Sequence, residues 1–272
     1  MSAGVAGTTL SPIRPIPSYT TLRDVTGIEN IGTSTVGTPA TRTRRFETAE
    51  LTELDEPVRR YLGHAISDGG AVPAGVRVTM AGRIKVGRWL SFTAQQEFRG
   101  HAFTWSARAG LGPWKPLAVV DSYGDGYGST EGKLFGRLRF MHADDENTAR
   151  GAAGRAAAES IWVPGTLLPG QGVSWRSESD ELIVVRLDVA PEHPEVAIRI
   201  GTTGNVRSVS LRRWGNVGQK HFSYIPFGAE MHAERRFGDM ILPSEVSVGW
   251  WWGTPRYQPF FEATIFDVEP LS

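Results

Sequence analysis

Residues 149–169 read ARGAAGRAAAESIWVPGTLLP. The stretch decides the fold because it is a helix set among strands. Alanine is the best helix former, and Ala152, Ala153, Ala156, Ala157 and Ala158 fill its middle. The segment ends in Trp162, Pro164, the pair Leu167-Leu168 and Pro169. Arg155, Glu159 and Trp162 stand at i, i+4 and i+7 and so share one face. A sheet of many strands needs something to cover its concave side, and a lone central helix with small faces can come close enough to do so.

On both sides of this helix the apolar period is two. Val76, Val78, Met80, Ile84 and Val86 alternate with Arg77, Thr79, Arg83 and Lys85, and Gly87-Arg88 reads as a tight turn. Strands follow at 89–99, 102–108, 117–123 and 133–141 before the helix. After it come 173–177, 182–189, 196–201, 206–214, 230–237, 244–253 and 257–268. One further helix is signed upstream: Asp55 as cap, Pro57 in the first turn, then Val58, Tyr61, Leu62, Ala65 and Ile66 on one stripe, with Gly69-Gly70 as the stop. Arg59, Arg60 and His64 then fall on other faces, mostly toward water. The expected fold is mainly β (α+β). It is a strongly curved antiparallel sheet or half-barrel of about a dozen strands, with one N-terminal helix and one central helix covering the concave face.

Residues 1–45 are rich in Thr, Ser, Gly and Pro without a period. They are expected to be a disordered or docking arm ahead of a single curved-sheet domain over 46–272. Ile13, Ile16, Tyr19 and Leu22 are the candidate anchors of such an arm.

Composition narrows the function. Lys plus Arg and Asp plus Glu both number 29, and this balance disfavours a nucleic-acid partner and electrostatic attachment to an anionic membrane. The absence of cysteine excludes thiolate nucleophiles, disulfides and Cys-ligated metals. No apolar run is long enough to span a bilayer and the start lacks a secretory pattern, so a cytoplasmic location is expected. No HExxH, GxSxG or phosphate loop occurs, so no cofactor and no metal are expected. The acidic run after His142 is explained by the dipole of the helix that follows.

Three places remain as candidates for binding. Arg155 and Glu159 form either a helix-supporting pair or the polar end of a cavity. Asp121 and Tyr123 point to the face of Val119, while Gly124, Gly126 and Gly128 allow a turn. Trp250 and Trp252 face one way on a strand and Trp251 the other, either as covered core or as an aromatic wall joined by Trp105 and Trp89.

FTWSAR (103–108), DSYGDGYG (121–128), RAAAESIWVPGTLLP (155–169) and ILPSEVSVGWWWG (241–253) together resemble an uncharacterised bacterial, actinobacterial-type family of unknown function, over about residues 55–270. Its pattern Arg-x-x-x-Glu-x-x-Trp-x-Pro is matched by Arg155, Glu159, Trp162 and Pro164. Ala156–Ala158 stand where bulkier apolar residues are usual, which bears on the volume under the helix. The sheet-around-helix pattern is similar to lipoprotein carriers and lipid-binding lipoproteins, and it implies a hydrophobic small-molecule ligand. The leading expectation is a carrier of a lipid-like molecule between sheet and central helix. Trp105, Trp162, Trp250 and Trp252 would line its cavity, with Arg155, Glu159, Asp121 and Tyr123 at the polar end. An isomerase- or cyclase-like enzyme in the same pocket, or an assembly component docking a protein through residues 1–45, are the alternatives.

Overall fold

A computed structural model describes residues 44–271. Two short strands, β1 (Arg44–Arg45) and β2 (Ala71–Val72), pair around helix α1 (Glu56–Ala65). The first limb of the main sheet is β3 (Gly75–Val86), β4 (Arg88–Arg99), β5 (Ala102–Leu111), β6 (Trp114–Gly124), β7 (Tyr127–Leu134) and β8 (Leu138–Ala143). Helix α2 (Glu146–Glu159) follows. The second limb is β9 (Ser174–Ser179), β10 (Leu182–Arg186), β11 (Glu195–Ile200), β12 (Val206–Gly215), β13 (Ser223–Phe237), β14 (Met240–Trp250) and β15 (Gln258–Pro270).

The thirteen strands β3–β15 form one antiparallel sheet in the order β8-β7-β6-β5-β4-β3-β15-β14-β13-β12-β11-β10-β9. Each limb is a meander, and β3 and β15 join them in the middle. The two edge strands, β8 and β9, are therefore consecutive in the chain apart from the helical segment between them. Right-handed twist accumulates at roughly 20–25° per strand pair, so a sheet this wide curls. The α2 segment crosses from one edge to the other and packs on β6 and β7 of the first limb and β12 of the second.

Close approach explains the residues of α2. Ala152, Ala153, Ala156, Ala157 and Ala158 are buried. A Cβ on Gly128 of β7 would lie 2.8 Å from the Ala149 Cα and 2.9 Å from the Thr148 carbonyl oxygen. Gly128 is thus a contact glycine rather than a turn glycine; the turn is made by Asp125 and Gly126, both at positive φ. Asp145 caps α2, its Oδ1 accepting from the Thr148 amide at 2.9 Å. The helix ends earlier than the 149–169 reading, at Glu159. Ser160 Oγ turns back to the Ala157 carbonyl at 2.7 Å, and 3-10 turns at Ser160–Trp162 and Pro164–Leu167 carry the chain on. Leu167 and Leu168 are fully buried and anchor this exit.

Other expectations need correction. The strand expected at 133–141 is a hairpin, because Phe135 and Gly136 both take positive φ. Strand β13 begins seven residues before 230, since Pro226 and Gly228 resemble breakers in sequence yet lie within the ladder. Asp55 stands at the cap of α1 without bonding its amides; its carboxylate accepts from the Ser177 amide at 3.2 Å. His64 does not simply face water but meets Glu234 at 2.9 Å. Arg44 and Arg45 already belong to the paired strand β1, and Phe46 is fully buried. The candidate anchors Ile13, Ile16, Tyr19 and Leu22 lie outside the described residues.

Candidate functional site

The expected polar residues do meet under α2. Arg155 Nε donates to Glu159 Oε1 at 2.8 Å, and its Nη1 donates to Asp121 Oδ2. Thr130 Oγ1 donates to the other Asp121 oxygen at 2.8 Å. Gln96, on β4, donates to Glu159 Oε2 at 2.6 Å and accepts from Arg155 at 3.3 Å. The Arg155 guanidinium stacks on Phe103 and Trp105, 4.6 and 5.4 Å from their ring centroids. Burial alone pushes its pKa down, but Glu159 and Asp121 more than offset this, and the value is raised.

The remaining space at this cluster is about 10 Å³, bounded by Met80, Gln96, Arg155, Glu159, Trp162 and Phe261 among others. That is about the volume one water needs. Trp162 donates from Nε1 to the Pro243 carbonyl at 3.0 Å, and Tyr123 donates its hydroxyl to the Ala190 carbonyl. The alanines of α2 do not leave a chamber beneath them, because the sheet comes up to meet them.

The tryptophan run is divided. Strand β14 ends at Trp250, whose ring lies 5.0 Å from Phe227 in the core. Trp251 takes a φ of 60°, so Trp252 folds back across Gly228, where a Cβ would meet its ring at 2.4 Å. Gly228 and Phe227 are adjacent on a strand, so Trp250 and Trp252 lie on opposite faces rather than the same one. Trp89 is apart from both, beneath the Arg83 guanidinium.

A much larger space, about 930 Å³, is bounded by α2 through Glu146, Arg150 and Gly154, by residues 191–194, and by β10–β13. On those strands Val184, Ala197, Ser210, Arg212, Trp214, Tyr224 and Pro226 line it, alternating with core residues such as Ile183, Ile198, Val209 and Ile225. Most of the wall is therefore the sheet face turned away from the main core, with Leu211 and Phe227 added near α2. Trp252 belongs to this cleft.

At the helix end of the cleft the Arg150 guanidinium lies 3.5 Å from the Trp214 ring centroid. Arg150 also binds Glu192 and donates to the Tyr224 hydroxyl at 2.9 Å, and that hydroxyl donates to Glu192 at 2.6 Å. The bond from Glu192 raises the pKa of Arg150 and, with burial, that of Tyr224. Arg212 donates to the Tyr224 backbone carbonyl at 2.7 Å and, among the described residues, pairs with no carboxylate. Arg213, on the opposite face, donates from Nε to the Gly151 carbonyl at 2.8 Å and stacks on Phe227 and Trp250. Burial, and then the charge of Arg155, push its pKa down to about 10, so it stays cationic at neutral pH.

Arg150, Glu192, Arg212, Trp214 and Tyr224 escaped the sequence reading. One signal was present: Glu146, Arg150 and Gly154 stand at i, i+4 and i+8, a second stripe on α2 well round the helix from the Arg155 stripe. Among the described residues no group of His, Asp and Glu is arranged to hold a metal ion.

A curled antiparallel half-barrel closed by one inserted helix, with an aromatic cleft at one end of that helix, defines the class. The chain belongs to DUF6920, a family of unknown function, whose model matches residues 52–269. No curated protein matches it. Among solved structures it is similar to a DUF1329 family protein from Desulfovibrio piger, at 5% identity and a TM-score of 0.42 over 73% of this chain and 86% of that one. It is also similar to a LolA superfamily protein from Nitrosomonas europaea, at 8% identity and a TM-score of 0.42 over 79% of this chain and 92% of that one.

Proposed function

We propose that this protein binds an amphipathic small molecule, an apolar body with one anionic group, in the cleft between the Arg150 end of α2 and β10–β13. The observation that carries this reading is Arg212. Among the described residues it is a cation with one backbone carbonyl as partner, set beside Trp214, Tyr224 and Trp252 in a cleft of about 930 Å³. A space of that size is ordinary for small-molecule sites, which are mostly apolar with a few placed polar groups. Arg150 is held by Glu192 and Tyr224, so its role is to fix the aromatic wall by stacking on Trp214. The Asp121–Arg155–Glu159 cluster, having room for one water, positions α2 rather than receiving the ligand.

Native mass spectrometry of the purified protein, followed by titration with a long-chain fatty acid and its methyl ester, tests this. The acid should bind more tightly than the ester. Arg212→Gln should remove that preference, about a tenfold loss for a hydrogen bond to a charged group. A bare mass with no uptake of either probe overturns the proposal, as does equal binding of acid and ester by the unaltered protein.

A further inference from the structure

Three alternate hairpin turns of the first limb share one end of the sheet: Gly87 between β3 and β4, Gly112-Pro113 between β5 and β6, and Phe135–Arg137 between β7 and β8. The six strands that carry them are neighbours in the sheet, so at ~4.8 Å per strand the turns form a rim of roughly 24 Å. Large apolar side chains stand out from this rim. Val86 is 54% exposed, Leu111 47%, Trp114 63%, Phe135 57% and Leu138 65%. Isolated exposed apolar residues are ordinary, but these lie together on adjacent tips.

The same turns carry one sign of charge. Lys85 and Arg88 flank the first, Arg108 and Lys115 the second, and Lys133, Arg137 and Arg139 the third, with no Asp or Glu in 85–89, 108–115 or 133–140. Lys133 is paired with Glu131. None of the other six takes part in an ion pair among the described residues. The zero net charge of the chain is thus an average over a molecule with a basic rim.

Phe135 adds a third observation. It has a φ of 54°, a region disfavoured for any residue with a Cβ and ordinarily given to Gly or Asn in such a turn. Its amide bonds to the Pro116 carbonyl at 2.8 Å, and its ring lies 6.1 Å from that of Trp114. The second and third tips are held side by side, with an aromatic ring kept outward where glycine would be more relaxed.

We propose that this rim docks on the surface of an anionic lipid bilayer. Trp, Phe, Leu and Val tips enter the interface, and the flanking Lys and Arg meet the headgroups. A nucleic acid would match the charge, but Val86, Leu111 and Leu138 offer nothing to a base or a phosphate. The rim lies on the limb opposite the cleft, so the proposal stands independently of the ligand assigned there.

Co-sedimentation of the full chain with vesicles tests it, using phosphatidylcholine alone against equal parts phosphatidylcholine and phosphatidylglycerol. Binding should require the anionic lipid and weaken with salt. Arg137→Gln and Arg139→Gln should each lower partitioning about fivefold. Phe135→Gly should lower it about tenfold while leaving the melting temperature unchanged or higher, which separates docking from folding. Failure to pellet with either vesicle, equal pelleting with both, unaltered partitioning of Phe135→Gly, or binding to duplex DNA without vesicle binding would each overturn the proposal.

Discussion

Replacing Arg155 with methionine isolates what the polar cluster does. Methionine keeps an unbranched stem over Phe103 and Trp105 but removes the charge that holds Asp121 and Glu159. The two carboxylates would retain Thr130 and Gln96 as donors and lose their cation. Breaking a buried pair in this way costs about 3–5 kcal/mol. Side-chain exposures of 15% for Arg155, 19% for Asp121 and 17% for Glu159 let some water in, so the lower end, about 3 kcal/mol, applies. For a domain of this size that is a fall in melting temperature of roughly 6–12 °C. Urea unfolding followed by tryptophan fluorescence reads it directly. The triple variant Arg155→Met, Asp121→Val, Glu159→Leu should recover to within about 1 kcal/mol of the original, because a filled apolar layer replaces the ion cluster. A loss below about 1 kcal/mol for Arg155→Met alone would refute the reasoning, since it would mean that bulk water already reaches both carboxylates and the space under α2 is open.

Gly128→Val should cost about 1–3 kcal/mol by driving β7 against the backbone of α2, whereas Gly124→Ala in the preceding strand, whose new Cβ first meets the Ala102 Cβ at 3.6 Å, should be tolerated; thermal unfolding compares them. Asp145→Ala should cost about 1 kcal/mol at neutral pH through loss of the α2 cap. The backbone and side-chain bonds from Thr148 lower the Asp145 pKa, so its contribution is present above the ordinary carboxylate pKa and is lost as pH falls through the lowered one. The gap between Asp145→Ala and the parent should therefore close on acidification, which urea midpoints at several pH values would show.

Much of the fold was legible because it rests on local periods. The alternation from Val76 to Val86 predicts β3, and the Val58, Tyr61, Leu62, Ala65 stripe predicts the buried face of α1. Errors fell where a local rule yields to a distant contact. Pro226 and Gly228 look like breakers until Trp252 is seen lying on Gly228, and Phe135 looks like a strand residue until its positive φ is known. The cleft was hardest, because Arg150, Glu192, Arg212 and Tyr224 come from a helix, a loop and two strands whose spacing in sequence carries no trace of their meeting.

That α2 is a thin helix among strands, with Arg155, Glu159 and Trp162 facing one way, is written in residue order, since side-chain direction follows from backbone period alone. Tertiary structure decided how much room that face has. The curl of thirteen strands brings Gly128 and Arg213 against the small faces of α2, and close packing leaves about 10 Å³ beside Arg155. It also decided where the room went. Space in a folded chain is a property of surfaces brought together from far apart, and here those surfaces are Arg150, Trp214, Tyr224 and Trp252, around the cleft of about 930 Å³.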